Sequence, residues 1–198
     1  MKHPSVRAFF AYWDRKRGFA AAPTRADFAP DAVRHLLGDV FVVASHPAAP
    51  GYPVRVAGTR LCALFGHDIK GRSFPGLFSP ANRPECEAML AATQEDTLAT
   101  VAGASAILPG RTIHLELLLL PFAAQPHTPP TLTGLLAPLD GGGAIAALPP
   151  LHHLTLTTWR HLHRPECLRP HAMRRREIIQ GMTLYEGVRD LHGAPPPV

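Results

Sequence analysis

The chain has 198 residues, 46% of them hydrophobic, and a formal net charge of +5 at pH 7. That length supports one domain with extensions rather than two full domains, and no apolar run approaches the roughly 20 residues that cross a bilayer. Three widely spaced cysteines, Cys62, Cys86 and Cys167, argue against a disulfide framework and for a reducing cytoplasm.

The first segment, MKHPSVRAFFAYWDRKRG, has no apolar h-region and no small-residue cleavage site, so no signal peptide is expected. Residues 4–17 read as an amphipathic helix: Val6, Phe9, Phe10 and Trp13 fall at i, i+3, i+4 and i+7, and Gly18 ends it. A short helix is expected from Pro30 to Leu37, with Asp31 in its first turn and Gly38 just past its end. The pattern then turns to strands at 39–44 and 54–57, joined by a Pro/Gly-rich turn. Thr59 is placed to cap a short helix, Arg60 to Phe65, closed by Gly66. Residues 66–81 are rich in turn formers but carry Ile69, Phe74, Leu77 and Phe78, so the segment should pack down over the core.

Asn82-Arg-Pro-Glu85 has the makings of a capping box, and the helix it opens should bury Cys86, Met89, Leu90 and Thr93 and end near Asp96. Strands follow at about 98–107, 112–120 and 131–139, the first two joined by a Pro109-Gly110 turn. In the stretch HLELLLLPF, alternation puts Leu115, Leu117 and Leu119 on one face and His114, Glu116, Leu118 and Leu120 on the other. The second row begins polar and ends apolar, so the N-terminal helix is expected to cover it there. Beyond 140 come a Pro/His-rich segment, a basic helix candidate at 172–180 and a GAPPPV end expected to be disordered.

The order of these elements calls for an α+β domain, a five-stranded antiparallel sheet with helices packed against it. With the motifs FFAYWDRKRG, PTRADFAPDAVRHLL, VRVAGTRLCALFG, IKGRSF and LELLLLPF, residues 5–140 resemble a PAS domain, specifically the bacterial stand-alone subfamily PAS_5. LTLTTWRHL resembles a segment that often follows that domain. His67 departs from the family, which has Arg after the FG pair, so no contact of that Arg carries over. The resemblance implies a PAS fold with short helices on one face of the sheet and the cap helix on the other. It divides the chain into a helical cap (1–38), a core (39–140) and a Pro/His/Arg-rich extension (141–198), partly disordered. It further implies a sensory and regulatory signalling role, through a small molecule held between sheet and short helices, or through pairing with itself or a partner protein.

On that reading the pocket walls would be Phe41, Val56, Cys62, Phe65, Phe74, Phe78, Leu90, Leu115 and Leu117, against the alternative that these side chains simply fill a core. The cap stripe Phe9, Phe10 and Trp13 is the candidate interaction face, with a homodimer or a signalling partner in view. Individual PAS proteins carry haem, flavin or metabolites. Neither cysteine near the core has the Asn-Cys-Arg context of flavin photochemistry, and the haem-ligand candidates reduce to His67 and His114, so no cofactor is assigned. His152, His153, His161, His163, His171 and Cys167 match no compact zinc module, and no metal is expected. No nucleophile motif or phosphate-binding loop is present, so the chain is read as non-catalytic. The one basic run, Arg174–Arg176, lacks the interleaved aromatics of a nucleic-acid surface, which leaves nucleic acid as a secondary alternative.

Overall fold

The computed structural model describes residues 1–45, 50–125, 129–139 and 149–162, together with the backbone of 174–179 and 182–186. The chain divides into two units, Met1–Leu162 and His163–Val198. In the first, helices α1 (Pro4–Arg17), α2 (Thr59–Phe65) and α3 (Arg83–Glu95) accompany strands β1 (Val40–Ala44), β2 (Val54–Ala57), β3 (Thr100–Leu108), β4 (Arg111–Pro121), β5 (Thr131–Pro138) and β6 (Thr155–His161). The strands form one antiparallel sheet in the order β2-β1-β5-β4-β3-β6.

Six strands stand where five were expected. The sixth, on the β3 edge, comes from residues assigned to the C-terminal extension. Proline and histidine around it dilute the period-two pattern, yet Leu151, Leu154 and Leu156 all enter the core. The segment before β6 is also sewn to the helical layer: Leu151 N–H donates to the Leu64 carbonyl (2.9 Å), Leu154 N–H to that of Leu77 (2.9 Å), and Ser79 N–H to that of Leu154 (2.8 Å).

Alternation along β4 divides the hydrophobic interior into two layers. Leu115, Leu117 and Leu119 face α2, α3 and the 69–78 segment, in a cluster with Phe41, Leu61, Phe65, Ile69, Phe74, Phe78, Met89 and Leu90. Leu118 and Leu120 face the other way and pack with Val6, Phe9, Tyr12 and Trp13 of α1. Burial of a large apolar side chain contributes about 1.5–3 kcal/mol, so both leucine rows stabilise the sheet. The irregular segment packs down as expected and bonds to the β2 edge: Gly71 N–H donates to Val54 (2.7 Å) and Val54 N–H to Arg72 (2.8 Å).

Several local expectations differ in detail. Residues Pro30–Asp39 are 3-10 helix kinked at Val33, so Gly38 lies inside the element rather than beyond it. Gly58, not Thr59, is the N-cap of α2, which Gly66 closes in the left-handed conformation (φ 72°). Asn82 makes no capping bond, because its side-chain oxygen accepts from the Ser79 hydroxyl at 2.9 Å. In the second unit the basic helix candidate is strand β7 (Arg174–Ile179), paired antiparallel with β8 (Met182–Glu186). Ile178 and Ile179 end β7 in the sequence, and β-branched isoleucines favour the pleated strand. The expected disorder of GAPPPV lies outside the described residues.

Candidate functional site

The expected pocket walls do not all meet. Phe41, Phe65, Phe74, Phe78, Leu90, Leu115 and Leu117 come together on the inner face, each almost fully buried. The Phe41 and Phe74 rings stack at 4.6 Å between centroids, and Phe74 lies 5.8 Å from Phe78. Gly134, opposite Phe41 in the β1–β5 register, makes this possible: a Cβ there would sit 2.3 Å from the Phe41 ring. Cys62 is half-buried at the cluster's margin, its thiol 3.8 Å from Asp68. Cys86 lies inside, and burial pushes its thiol up to about 12, with Glu87 and Glu85 adding to the effect.

Val56 is a correction. It is 54% exposed and faces the opposite side of the sheet. Alternation along 54–57 alone would put Val54 and Val56 on one face. A register shift between Val42 and Val43 breaks that parity, pairing Val42 with Val56 and Phe41 with Ala57 while Val54 still points inward. His67 and His114 are both exposed, so neither haem-ligand candidate faces the inner cluster.

On the outer face, α1 is anchored at both ends. Glu116, only 6% exposed, accepts Lys2 N–H on both oxygens (2.7 and 2.9 Å) and His3 N–H on one (2.8 Å), so a carboxylate sits at the positive end of the helix. Trp13 Nε1 donates to the Pro121 carbonyl at 2.9 Å. Phe9 and Trp13 of the expected interaction stripe are buried against the sheet, and Phe10 is half-buried, stacked on Trp13 at 6.1 Å. Tyr12, absent from that stripe, holds residue 29 by donating to its carbonyl (3.2 Å) and accepting its N–H (2.9 Å).

Between this cap and strands β1 and β2 lies a groove of about 470 Å³, lined by Phe9, Phe28, Leu37, Val42, Val56 and Phe122 among others. Phe28 packs edge-on against Phe9, Tyr12 and Phe122 at 4.8–5.7 Å, forming an aromatic wall. Arg60 joins the cap to α2. Its guanidinium donates to both oxygens of Asp39 (2.8 and 2.7 Å) and to the His35 carbonyl (3.0 Å), and the Asp39 bonds raise its pKa. Gly58 lets the chains cross here, because a Cβ would lie 2.2 Å from the carbonyl oxygens of Leu37 and Gly38. The Gly and Arg of VAGTR are therefore a structural joint between cap and α2.

A Thr-His-Asp chain was invisible in sequence because its members are distant. Thr93 Oγ1 donates to the Met89 carbonyl and lies 2.7 Å from Thr100 Oγ1, which is 2.9 Å from His161 Nδ1. His161 Nε2 is 3.5 Å from Asp96. Thr100 is fully buried, so no substrate reaches its hydroxyl, and the chain ties α3 to β3 and β6. Among the described residues no group of three His, Cys, Asp or Glu side chains could hold a metal. His163, Cys167 and His171 lie outside them.

A family match covers residues 1–137, the cap and the first five strands, under the description PAS domain (PAS_5). The chain belongs to the PAS domain family. Its fold is the PAS fold with a six-stranded sheet, and the family is one of sensory signalling modules, generally non-catalytic. Among solved structures, a light-oxygen-voltage domain studied with a flavin analogue is 16% identical, covering 59% of this chain and 87% of its own, with a TM-score of 0.43. The PAS domain of Bordetella pertussis BvgS is 14% identical over 59% of this chain and 90% of its own, with a TM-score of 0.43. A Rhodobacter sphaeroides LOV protein is 18% identical over 52% of this chain and 60% of its own, with a TM-score of 0.41. A search of the curated proteins found no match. No helix among the described residues is long and apolar enough to cross a membrane.

Proposed function

We propose that this PAS domain is a non-catalytic sensory and regulatory module of signal transduction whose binding site is the outer-face groove beside the cap helix. One contrast carries the reading. The inner face, where the sequence suggested a pocket, is packed with buried, stacked side chains, whereas the outer groove has apolar walls open to solvent. Occupation of the groove would press on Phe9 and Phe28, which belong to the cap, and on Leu37, next to the Arg60–Asp39 joint. The cytoplasm is the compartment proposed for this role.

Amide chemical shifts of the full chain, titrated with a mixture of small apolar and amphipathic compounds, test this. Perturbations should gather at Phe28, Val42, Val56 and Thr133. Perturbations centred on Phe74, Leu90 and Leu115, or a chromophore retained in native mass and absorbance spectra, would replace the groove with an interior ligand.

A second reading, pairing with another copy or a signalling partner, is favoured by Phe19, a fully exposed aromatic just past α1. Phe19→Ser should lower the molar mass in solution if that contact holds. An unchanged mass removes Phe19 from the interface.

A further inference from the structure

We infer that the outer-face groove takes an amphipathic monocarboxylate, its aliphatic part against the apolar walls and its carboxylate on Arg25. This deepens the proposed function and rests on the groove being the binding site.

The volume, about 470 Å³, falls within the roughly 300–1,000 Å³ of small-molecule sites. The described structure has four large apolar side chains that are markedly exposed, and two of them, Leu37 and Val56, line this groove. A ligand seated there would bury both, and removing apolar surface from water favours binding.

The polar groups of the lining decide the ligand's head. Gly58 N–H is already donated to the Val40 carbonyl (2.8 Å), and the Thr133 hydroxyl to the Phe41 carbonyl (3.2 Å). Arg25 is the charged residue of the lining. Its guanidinium lies 6.0 Å from the centre of the Phe122 ring, within range of a cation–π contact, and no ion pair engages it among the described residues. The nearby carboxylate of Asp27 is taken by Thr24, accepting from its N–H (2.9 Å) and hydroxyl (2.6 Å).

A guanidinium offers parallel N–H donors that match a carboxylate. A neutral hydrocarbon would leave those donors to water and gain nothing from them. A second charge seated against Phe28, Val40 or Val42 would lose hydration with no partner in the lining, so the walls favour an apolar body there. One carboxylate on an apolar body satisfies both halves of the groove.

The probes are dodecanoate and dodecan-1-ol, below their aggregation limits, titrated calorimetrically into the full chain and into Arg25→Gln and Val56→Trp. Both substitutions are at exposed positions, and far-UV circular dichroism verifies each fold. Wild type should bind dodecanoate at least about tenfold more tightly than the alcohol. Arg25→Gln should reduce dodecanoate to the alcohol's level and leave the alcohol unchanged, while Val56→Trp should weaken both. Undiminished dodecanoate binding by Arg25→Gln, or equal binding of acid and alcohol by wild type, overturns the carboxylate assignment and leaves the groove standing. Undiminished binding of both probes by Val56→Trp removes the groove as the site. No saturable dodecanoate binding by wild type overturns the monocarboxylate, and the chemical-shift map then judges the groove separately.

Discussion

Glu116→Gln isolates the link between the strand with two apolar faces and the helix that covers one of them. The substitution keeps the side chain's shape but exchanges one acceptor oxygen for a donor. In the native structure the carboxylate receives Lys2 N–H at 2.7 and 2.9 Å and His3 N–H at 2.8 Å, with only 6% of the residue exposed. Hydrogen bonds to a charged acceptor contribute about 1.5–3 kcal/mol each, and a negative charge at a helix N-terminus adds about 0.3–1 kcal/mol, more when partly buried. The variant's amide oxygen still accepts one N–H, but its NH2 group confronts the other. A loss of about 2–3 kcal/mol is expected, or roughly 4–12 °C in melting temperature for a unit of this size. Urea denaturation of wild type and variant measures the loss, and hydrogen exchange locates it: amides of Arg7 to Trp13 should lose protection before those of β4. A change below about 0.5 kcal/mol, with exchange in α1 untouched, would refute the anchoring role of Glu116 and leave helix docking to Leu118, Leu120 and Trp13.

Gly58→Ala places a Cβ 2.2 Å from two backbone oxygens and should cost about 1–3 kcal/mol in urea unfolding; an unaltered midpoint would mean that the crossing yields freely. Phe74→Ala removes the ring between Phe41 and Phe78 and should cost about 3–5 kcal/mol. A loss under 1 kcal/mol would show the inner face less tightly packed than its geometry indicates. The raised thiol of Cys86 makes the folded protein sensitive to alkali. The unfolded chain loses this proton above about pH 8.5 while the folded state keeps it to about 12, so the contribution is complete below the first value and lost as pH rises toward the second. Unfolding between pH 9 and 11 should show wild type falling about 1.4 kcal/mol per pH unit more steeply than Cys86→Ala; parallel slopes would falsify the assignment. Native alkylation should modify half-buried Cys62 well before Cys86.

Much of the fold was legible because its signals are local. The 3.6-residue stripe of α1, the left-handed Gly66, the turn at Gly110 and the alternation along β4 each depend on neighbours within a few positions. The candidate site was less legible. Seven expected inner residues do gather, but Val56 crosses to the other face because one bulge reverses parity. Phe28 and Phe122 belong to connecting segments and Arg25 to a three-residue 3-10 helix, too short or irregular for periodicity to mark a side chain as part of a wall.

Composition and periodicity by themselves determined the class of domain, the order of its elements through β5, and the two apolar rows of the leucine strand. Only the tertiary structure decided that Glu116 holds the start of α1, that residues 155–161 complete the sheet, and that an open groove lies beside the cap while the inner face is packed. Periodicity tells a side chain which way to point along its own strand. What it meets there depends on pairing register and on residues 50 to more than 100 positions away, which only the folded chain brings within bonding distance.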